Sequence, residues 1–457
     1  MKLSVVNFGC QMNKLDAALV TSALKEAGFS VIEDMWQADV VLINTCSVRQ
    51  HAEERVLSLL GNLKHIKESR GEIVVGVIGC MAQRLGEQLL EHKAVNFVCG
   101  PAQIPQIERL VTDALQEKRI CSITKDIRHS EPANPELEDF ESVYDSDDKA
   151  IPSQAYVRAM RGCNNFCSYC IVPYVRGPEV SREPKAIIEQ IKRLAGEGVK
   201  QVTLLGQAVN KYEYTAGDKI YCLADLLEMA SAVNGVEWIR FVTNYPKDKY
   251  FERICRAMAD LPKVCNYLHM PAQSGSDKIL EAMNRHYTAE QYLGLLQKAR
   301  DIVPEIAVAG DFIVGFPEET EKDFQDTVEL VKKAGYKNCF IFKYSPRPGT
   351  SADTKMVDTV PVEVKKKRNN ELLAVQVKIS DQLSKEFLGK TVTVLVEGLS
   401  KKPHLDAENN DDNPQLVGRT AEDWIVVFNG PENLAGNFVK VKITKTRPLT
   451  LFGKIKT

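Results

Sequence analysis

Long apolar runs are absent from this chain of 457 residues. No uninterrupted stretch approaches the ~18 apolar residues of a membrane span, and the first residues lack the basic-then-apolar pattern of a secretory signal. No membrane association and a cytoplasmic location are therefore expected. Net charge is nearly absent too, since 59 Lys and Arg face 61 Asp and Glu and leave −2. That balance excludes a globally basic nucleic-acid binder, so any RNA contact must rest on a local patch. Aromatics are sparse at 7%, but 44% hydrophobic and 26% charged residues are the make-up of a soluble globular protein. The length exceeds one compact core and implies about two to four domains. Cysteine is not scarce. Twelve of them in a reducing compartment point to metal binding or catalysis rather than disulfides.

Cys163, Cys167 and Cys170 fall in the single stretch Met160-Arg-Gly-Cys-Asn-Asn-Phe-Cys-Ser-Tyr-Cys-Ile. Three thiolates there are close enough to share a metal centre and too few to close it. They can hold three irons of a cubic iron–sulfur cluster and leave the fourth for a small molecule, as catalytic zinc sites keep one position open. Zinc is the competing reading of the spacing, although the nearest further ligands, His129 and Cys222, lie outside loop reach. A redox dithiol would have no use for Cys163.

From Lys2 to about Leu115 short apolar runs alternate with amphipathic stretches. Leu3–Phe8, Val40–Asn44, Ile73–Ile78 and Asn96–Val98 read as strands and Leu15–Ala27 as a helix, the rhythm of an open parallel α/β sheet. Cys10, Cys46 and Cys80 each sit just past the carboxyl end of such a strand. In an open sheet those ends form one edge, where ligands bind and a following helix favours a thiolate. Each cysteine alone reads as a small buried residue; their shared placement makes a second three-cysteine site. Cys99, Cys121, Cys222, Cys255, Cys265 and Cys339 show no such arrangement and read as core or incidental thiols. The acidic stretch from about Thr124 to Ile151 reads as an exposed linker.

From Ala155 onward the alternation resumes. Strands are expected over Ala155–Met160, Gln201–Leu205, Trp238–Thr243, Tyr267–Met270, Ile306–Val314 and Asn338–Lys343, and helices over Lys185–Ala195, Leu223–Ala232, Ala289–Arg300 and Thr320–Ala334. Six βα units fall short of a closed barrel of eight and predict a partial (βα)6 barrel with its site at the strands' carboxyl ends. Lys365-Lys-Lys-Arg opens a helical connector, read as a solvated face or a phosphate contact. Thr391–Glu397, Leu416–Thr420, Trp424–Phe428, Phe438–Thr446 and Leu451–Lys456 then read as a small antiparallel, OB-like β-barrel, with a polar loop at His404–Asn413. Lys440, Lys442, Lys445, Arg447, Lys454 and Lys456 crowd its last two strands and offer a track for a phosphate backbone, or an ordinary soluble surface.

The pattern Cys-x-x-x-Cys-x-Tyr-Cys resembles the signature of radical S-adenosylmethionine (SAM) enzymes. Together with Phe8-Gly-Cys-Gln-Met-Asn-Lys, Asn44-Thr-Cys-Ser-Val-Arg, Gly79-Cys-Met-Ala-Gln, Cys170-Ile-Val-Pro-Tyr-Val-Arg-Gly, Gln273-Ser-Gly-Ser and Tyr344-Ser-Pro-Arg-Pro-Gly-Thr, it makes nearly the whole chain resemble the radical SAM methylthiotransferases. Gln11-Met12-Asn13 is similar to the branch acting on N6-isopentenyladenosine in tRNA, where siblings usually carry Pro-Lys-Asn or Lys-Val-Asn. The resemblance implies an N-terminal methylthiotransferase domain (1–120), the acidic linker (121–150), a radical SAM core (151–380) and an RNA-binding TRAM domain (383–457). It implies two [4Fe-4S] clusters, one on Cys10, Cys46 and Cys80 and one on the catalytic Cys163, Cys167 and Cys170, with the aromatic Tyr169 against the adenine of SAM. One SAM would methylate a sulfur on the N-terminal cluster. Another would be split to a 5′-deoxyadenosyl radical that takes hydrogen from carbon 2 of adenosine 37, so that the methylthio group can enter there.

Strand-end placement adds Gly206, Gln207, Gln273 and Ser274 as SAM contacts, although such residues are also ordinary turn formers. Arg176 and Arg182 read as contacts to RNA phosphate or to the SAM carboxylate. The expected partners are a tRNA anticodon stem-loop and a low-potential donor such as flavodoxin or ferredoxin, with the chain a monomer. Two positions depart from the family pattern: Ala208 stands where an Asn is usual, and Glu318 where a Gly is usual. A ribosomal-protein (aspartate) methylthiotransferase and a non-catalytic, metal-braced RNA-binding protein stay open as other readings.

Overall fold

The computed structural model describes residues 1–47, 50–70, 73–128, 135–142, 144, 153–401 and 413–456. His129, much of the acidic stretch and nearly all of the 404–413 loop lie outside the described residues. The N-terminal unit is one six-stranded sheet in the order Ser30–Val31, Lys2–Phe8, Val40–Thr45, Val74–Gly79, Phe97–Cys99, Ile120–Ser122, with every pairing parallel. Val40–Thr45 and Val74–Gly79 are buried along their whole length, as central strands covered on both faces must be. The two outermost strands, of two and three residues, are too short to show a period in the sequence.

The central unit holds six parallel strands in two groups of three. Trp238–Phe241, Gln201–Leu205 and Gln154–Arg158 form one group; Tyr267–His269, Ala307–Val314 and Asn338–Lys343 form the other. A single parallel bridge from Ile239 to Val264 joins them. The expected partial barrel is thus present, thinned at its middle seam.

Two expectations need correction. The acidic linker is not simply exposed: it contains the helix Pro135–Glu141, with Leu137, Phe140 and Tyr144 buried. Its acids answer barrel arginines, Glu138 with Arg182 at 2.6 Å and Glu141 with Arg158 at 3.0 Å. The basic connector, helix Val362–Lys385, likewise turns charge inward, since Lys365 meets Asp358 at 2.6 Å and Arg368 meets Glu319 at 2.8 Å, both cations buried. A paired buried charge looks in sequence like a solvated one.

The C-terminal unit is a closed five-stranded barrel, Thr391–Leu399, Gln415–Arg419, Ile425–Asn429, Thr450–Ile455, Phe438–Arg447, antiparallel except between Ile425–Asn429 and Thr450–Ile455. Its turn at Thr420–Trp424 docks near the amino ends of the central strands. Arg240 donates to the carbonyls of Thr420 and Ala421, at 2.5 and 3.0 Å, and Asp423 receives Lys337 at 3.2 Å. Burial lowers the Lys337 pKa to about 8, against the pull of Asp423.

Candidate functional site

The loop of Cys163, Cys167 and Cys170 begins where the first central strand ends. A Cβ at Gly162, where φ is +72°, would run into the carbonyl of Pro178, so only glycine permits the turn. Cys163 and Cys167 are each 8% exposed, and Cys170 is half-buried. Asn165 Nδ2 donates to Cys163 Sγ at 3.3 Å, and Arg285 Nη1 to Cys167 Sγ at 3.6 Å. Arg285 was not singled out in the sequence. It is held by Tyr287 Oη and the Pro271 carbonyl, both at 2.7 Å, with its guanidinium over the rings of Tyr245 and Tyr287.

Burial pushes the Cys163 thiol up to about 11 and raises Cys170 further, the neighbouring thiols adding to it. Such thiols ionise only beside a strong positive charge, which a metal centre provides. Three cysteines within one loop, two of them buried, are soft sulfur donors suited to iron. The donor set therefore fits an iron–sulfur cluster.

The positions assigned to SAM divide. Gln207 Oε1 is buried without a hydrogen-bond partner, an acceptor left open at the end of the second strand. At Gly206 a Cβ would meet Met160 Cγ at 2.6 Å, so the backbone approaches closely there. Gln273 holds φ +73°, a conformation costing a glutamine about 1–3 kcal/mol, fixed by bonds with Asp311 and Ile313. Tyr169 packs between the main core and the Phe316 and Tyr344 cluster. Ser274 differs: it is 1% exposed, with its hydroxyl engaged by Thr327 at 3.3 Å and the Ser276 N–H at 3.2 Å, and it braces the turn. Ala208 is buried in the core, and Glu318 is exposed at φ +62°, a conformation its usual glycine adopts freely.

Cys10, Cys46 and Cys80 come to one edge of the N-terminal sheet. Cys10 caps the helix Gln11–Glu26, Cys46 follows Val40–Thr45, and Cys80 opens the helix Cys80–Leu85. A buried polar belt sets their spacing. Asn13 Nδ2 donates to Asn44 Oδ1 at 3.1 Å and to the Thr45 carbonyl at 2.9 Å; Asn44 Nδ2 returns a bond to the Asn13 carbonyl at 2.7 Å; and Thr45 Oγ1 reaches the Ile78 carbonyl at 2.6 Å. Gly79, at φ +95°, is required beneath it, because a Cβ would stand 2.6 Å from both Asn44 Oδ1 and the Thr45 carbonyl. Burial pushes Cys80 up to about 12; Arg176 opposes this, and Cys46 and Cys10 add to it.

The two arginines read as RNA or SAM contacts both have protein partners. Arg176 bridges the N-terminal and central units. Its Nε donates to Cys80 Sγ at 3.2 Å and its Nη2 to Asp16 at 2.7 Å. Arg182, 9% exposed, forks onto Glu138 and the Arg158 carbonyl. Ile171 and Val175, from the segment after Cys170, pack directly on Cys80, so the two cysteine sets share a wall. Beside it opens a cleft of about 380 Å³ lined by Arg84, Lys125, Tyr174 and Gly349. On the C-terminal barrel Lys440, Lys442, Lys454 and Lys456 are exposed, Lys442 lying opposite Lys454, and Lys445 and Arg447 approach the Phe452 ring.

Comparison with known proteins agrees with this architecture. Residues 157–331 match the Radical SAM superfamily, 2–100 the uncharacterized protein family UPF0004, and 385–456 the TRAM domain. The solved radical S-adenosylmethionine methyltransferase TsrM from Kitasatospora setae shares the fold at TM-score 0.55 and 16% identity, over 77% of this chain and 74% of that one. The fold class is that of a radical SAM protein with a TRAM barrel. The tRNA-2-methylthio-N(6)-dimethylallyladenosine synthase of Rhodopirellula baltica is 43% identical over 98% of this chain and 94% of that protein. The protein of the same name from Syntrophomonas wolfei is 40% identical, over 100% and 98%. The chain belongs to the tRNA-2-methylthio-N(6)-dimethylallyladenosine synthase family.

Proposed function

We propose that this chain is a tRNA methylthiotransferase that adds a methylthio group to carbon 2 of N6-isopentenyladenosine 37. Cys163, Cys167 and Cys170 would hold one [4Fe-4S] cluster and Cys10, Cys46 and Cys80 a second. When bound, clusters and SAM supply the radical, the sulfur and the methyl group. The chain's own work is placement. Tyr169, the Gly206 backbone, Gln207 and Gln273 would bind SAM beside the cysteine loop, while Ser274 holds the turn that presents Gln273. Cys46, Cys80, Cys163 and Cys167 are buried, which limits water there and protects a radical from side reactions, while Cys10 stands on the exposed side. The target adenine would leave the anticodon-loop stack to reach them, and the basic TRAM face would hold the RNA backbone.

The contact of Ile171 and Val175 with Cys80 carries this reading. A reaction needing both cysteine sets at one base requires them side by side. We assign the domains to residues 1–120, 121–150, 151–380 and 383–457, and infer a cytoplasmic monomer reduced by flavodoxin or ferredoxin. The test is anaerobic incubation of the reduced, iron-loaded chain with SAM and an anticodon stem-loop carrying isopentenyladenosine, followed by nucleoside mass analysis. A gain of one methylthio group on that nucleoside is expected. No product there, but product on ribosomal protein, would overturn the assignment.

A further inference from the structure

The guanidinium of Arg176 belongs to both halves of the site. It ends the short helix Val172–Arg176 that follows Cys170, yet it donates to Cys80 Sγ at 3.2 Å and to one oxygen of Asp16 at 2.7 Å. Asp16 is 1% exposed, and its other oxygen receives Arg158 at 2.5 Å; Arg158 in turn pairs with Glu141 at 3.0 Å. Two arginines and two carboxylates thus form a buried chain of ion pairs, with Arg161 and Arg182 also facing Glu141, and such a chain is costly to break from one side. It joins the first helix of the N-terminal unit, the linker helix, the first barrel strand and the post-cysteine helix. An N–H donated to a cluster thiolate, with positive charge behind it, favours the reduced cluster, which carries one more negative charge.

We propose that Arg176 is a positioning residue for the N-terminal cluster: its bond to Cys80 raises that cluster's reduction potential, and its bond to Asp16 locks the cluster against the radical barrel. This rests on the two-cluster reading above. The redox step is the addition of one electron to the cluster, supplied by the titrating reductant, with no ligand bond made or broken. Loss of the Arg176 charge removes one positive charge beside Cys80 and disfavours the added electron. Loss of the Asp16 charge removes one negative charge from the same set of ion pairs and favours it.

The test uses the full-length chain with Cys163, Cys167 and Cys170 all changed to Ala, so that only the N-terminal cluster is titrated, with dithionite and mediators, by electron paramagnetic resonance. Arg176→Met should shift the reduction equilibrium about tenfold toward the oxidised cluster, or 59 mV for one electron. Arg176→Lys keeps the charge without the fork and should fall between, whereas Asp16→Asn should move the potential the other way. A purely structural brace would alter iron content or folding without producing opposite signs. Unchanged potentials, or shifts of the same sign in Arg176→Met and Asp16→Asn, would overturn the proposal. If Arg176→Met binds no iron, Arg176→Lys against Asp16→Asn decides by the same signs. A triple-Ala chain without any cluster would instead remove the two-cluster reading itself.

Discussion

The two cysteine sets are built in opposite ways. Cys163, Cys167 and Cys170 share one loop, shaped by Gly162 and braced by Asn165 and Arg285. Cys10, Cys46 and Cys80 are separated by whole βα units and meet only because three parallel strands end in register, tied by Asn13, Asn44 and Thr45. A local loop can form its site as soon as it turns. A dispersed site exists only once the sheet is complete, and it also leans on Arg176 from another domain. The local set should therefore survive damage that empties the dispersed one.

The sharpest way to break this contrast is to compare Cys80→Ala with Cys167→Ala. Cys167→Ala is expected to abolish both SAM cleavage to 5′-deoxyadenosine and product, whereas Cys80→Ala should keep cleavage and lose methylthio transfer; both are read by chromatography of quenched reactions. Equal loss of cleavage in the two variants would mean the sites are not separable. Gly79→Ala comes next. Its positive φ and the crowding at Thr45 should cost about 2–4 kcal/mol and reduce iron at the dispersed set only. Denaturant unfolding and iron analysis check this, and an unchanged iron content would show that the belt tolerates a methyl group.

The smallest effect concerns the barrel dock, remote from both sets. Lys337 has a folded pKa lowered to about 8 from 10.5, so between those values the unfolded chain binds more protons and stability rises with pH. Wild type should gain thermal stability relative to Lys337→Met as pH goes from about 7.5 to 10, with no change in either iron site. A constant gap would contradict the burial argument.

Much of this was legible in the sequence. The central strands announced themselves through apolar runs bounded by glycine and polar residues, and the local cysteine loop needed no fold at all. Cys10, Cys46 and Cys80 could be grouped because each follows a strand, a positional rule that survives large sequence separation. Burial and pairing left no trace. Glu138, Glu141, Lys365 and Arg368 read as solvent-facing charge because composition does not reveal an opposite charge arriving from elsewhere in the chain. Arg285 lies 118 residues from Cys167, and nothing in its neighbourhood marks it as a donor to that sulfur. Arg176 stood inside a recognised motif, but its partners Asp16 and Cys80 are set by how the domains dock.

The most direct test of paired sites is iron and sulfide per chain in anaerobically loaded protein. Two clusters require about eight irons in wild type, and about four both when Cys10, Cys46 and Cys80 are changed to Ala and when Cys163, Cys167 and Cys170 are. Four irons in wild type, all lost with one triple substitution and unchanged with the other, or zinc in place of iron, would contradict it.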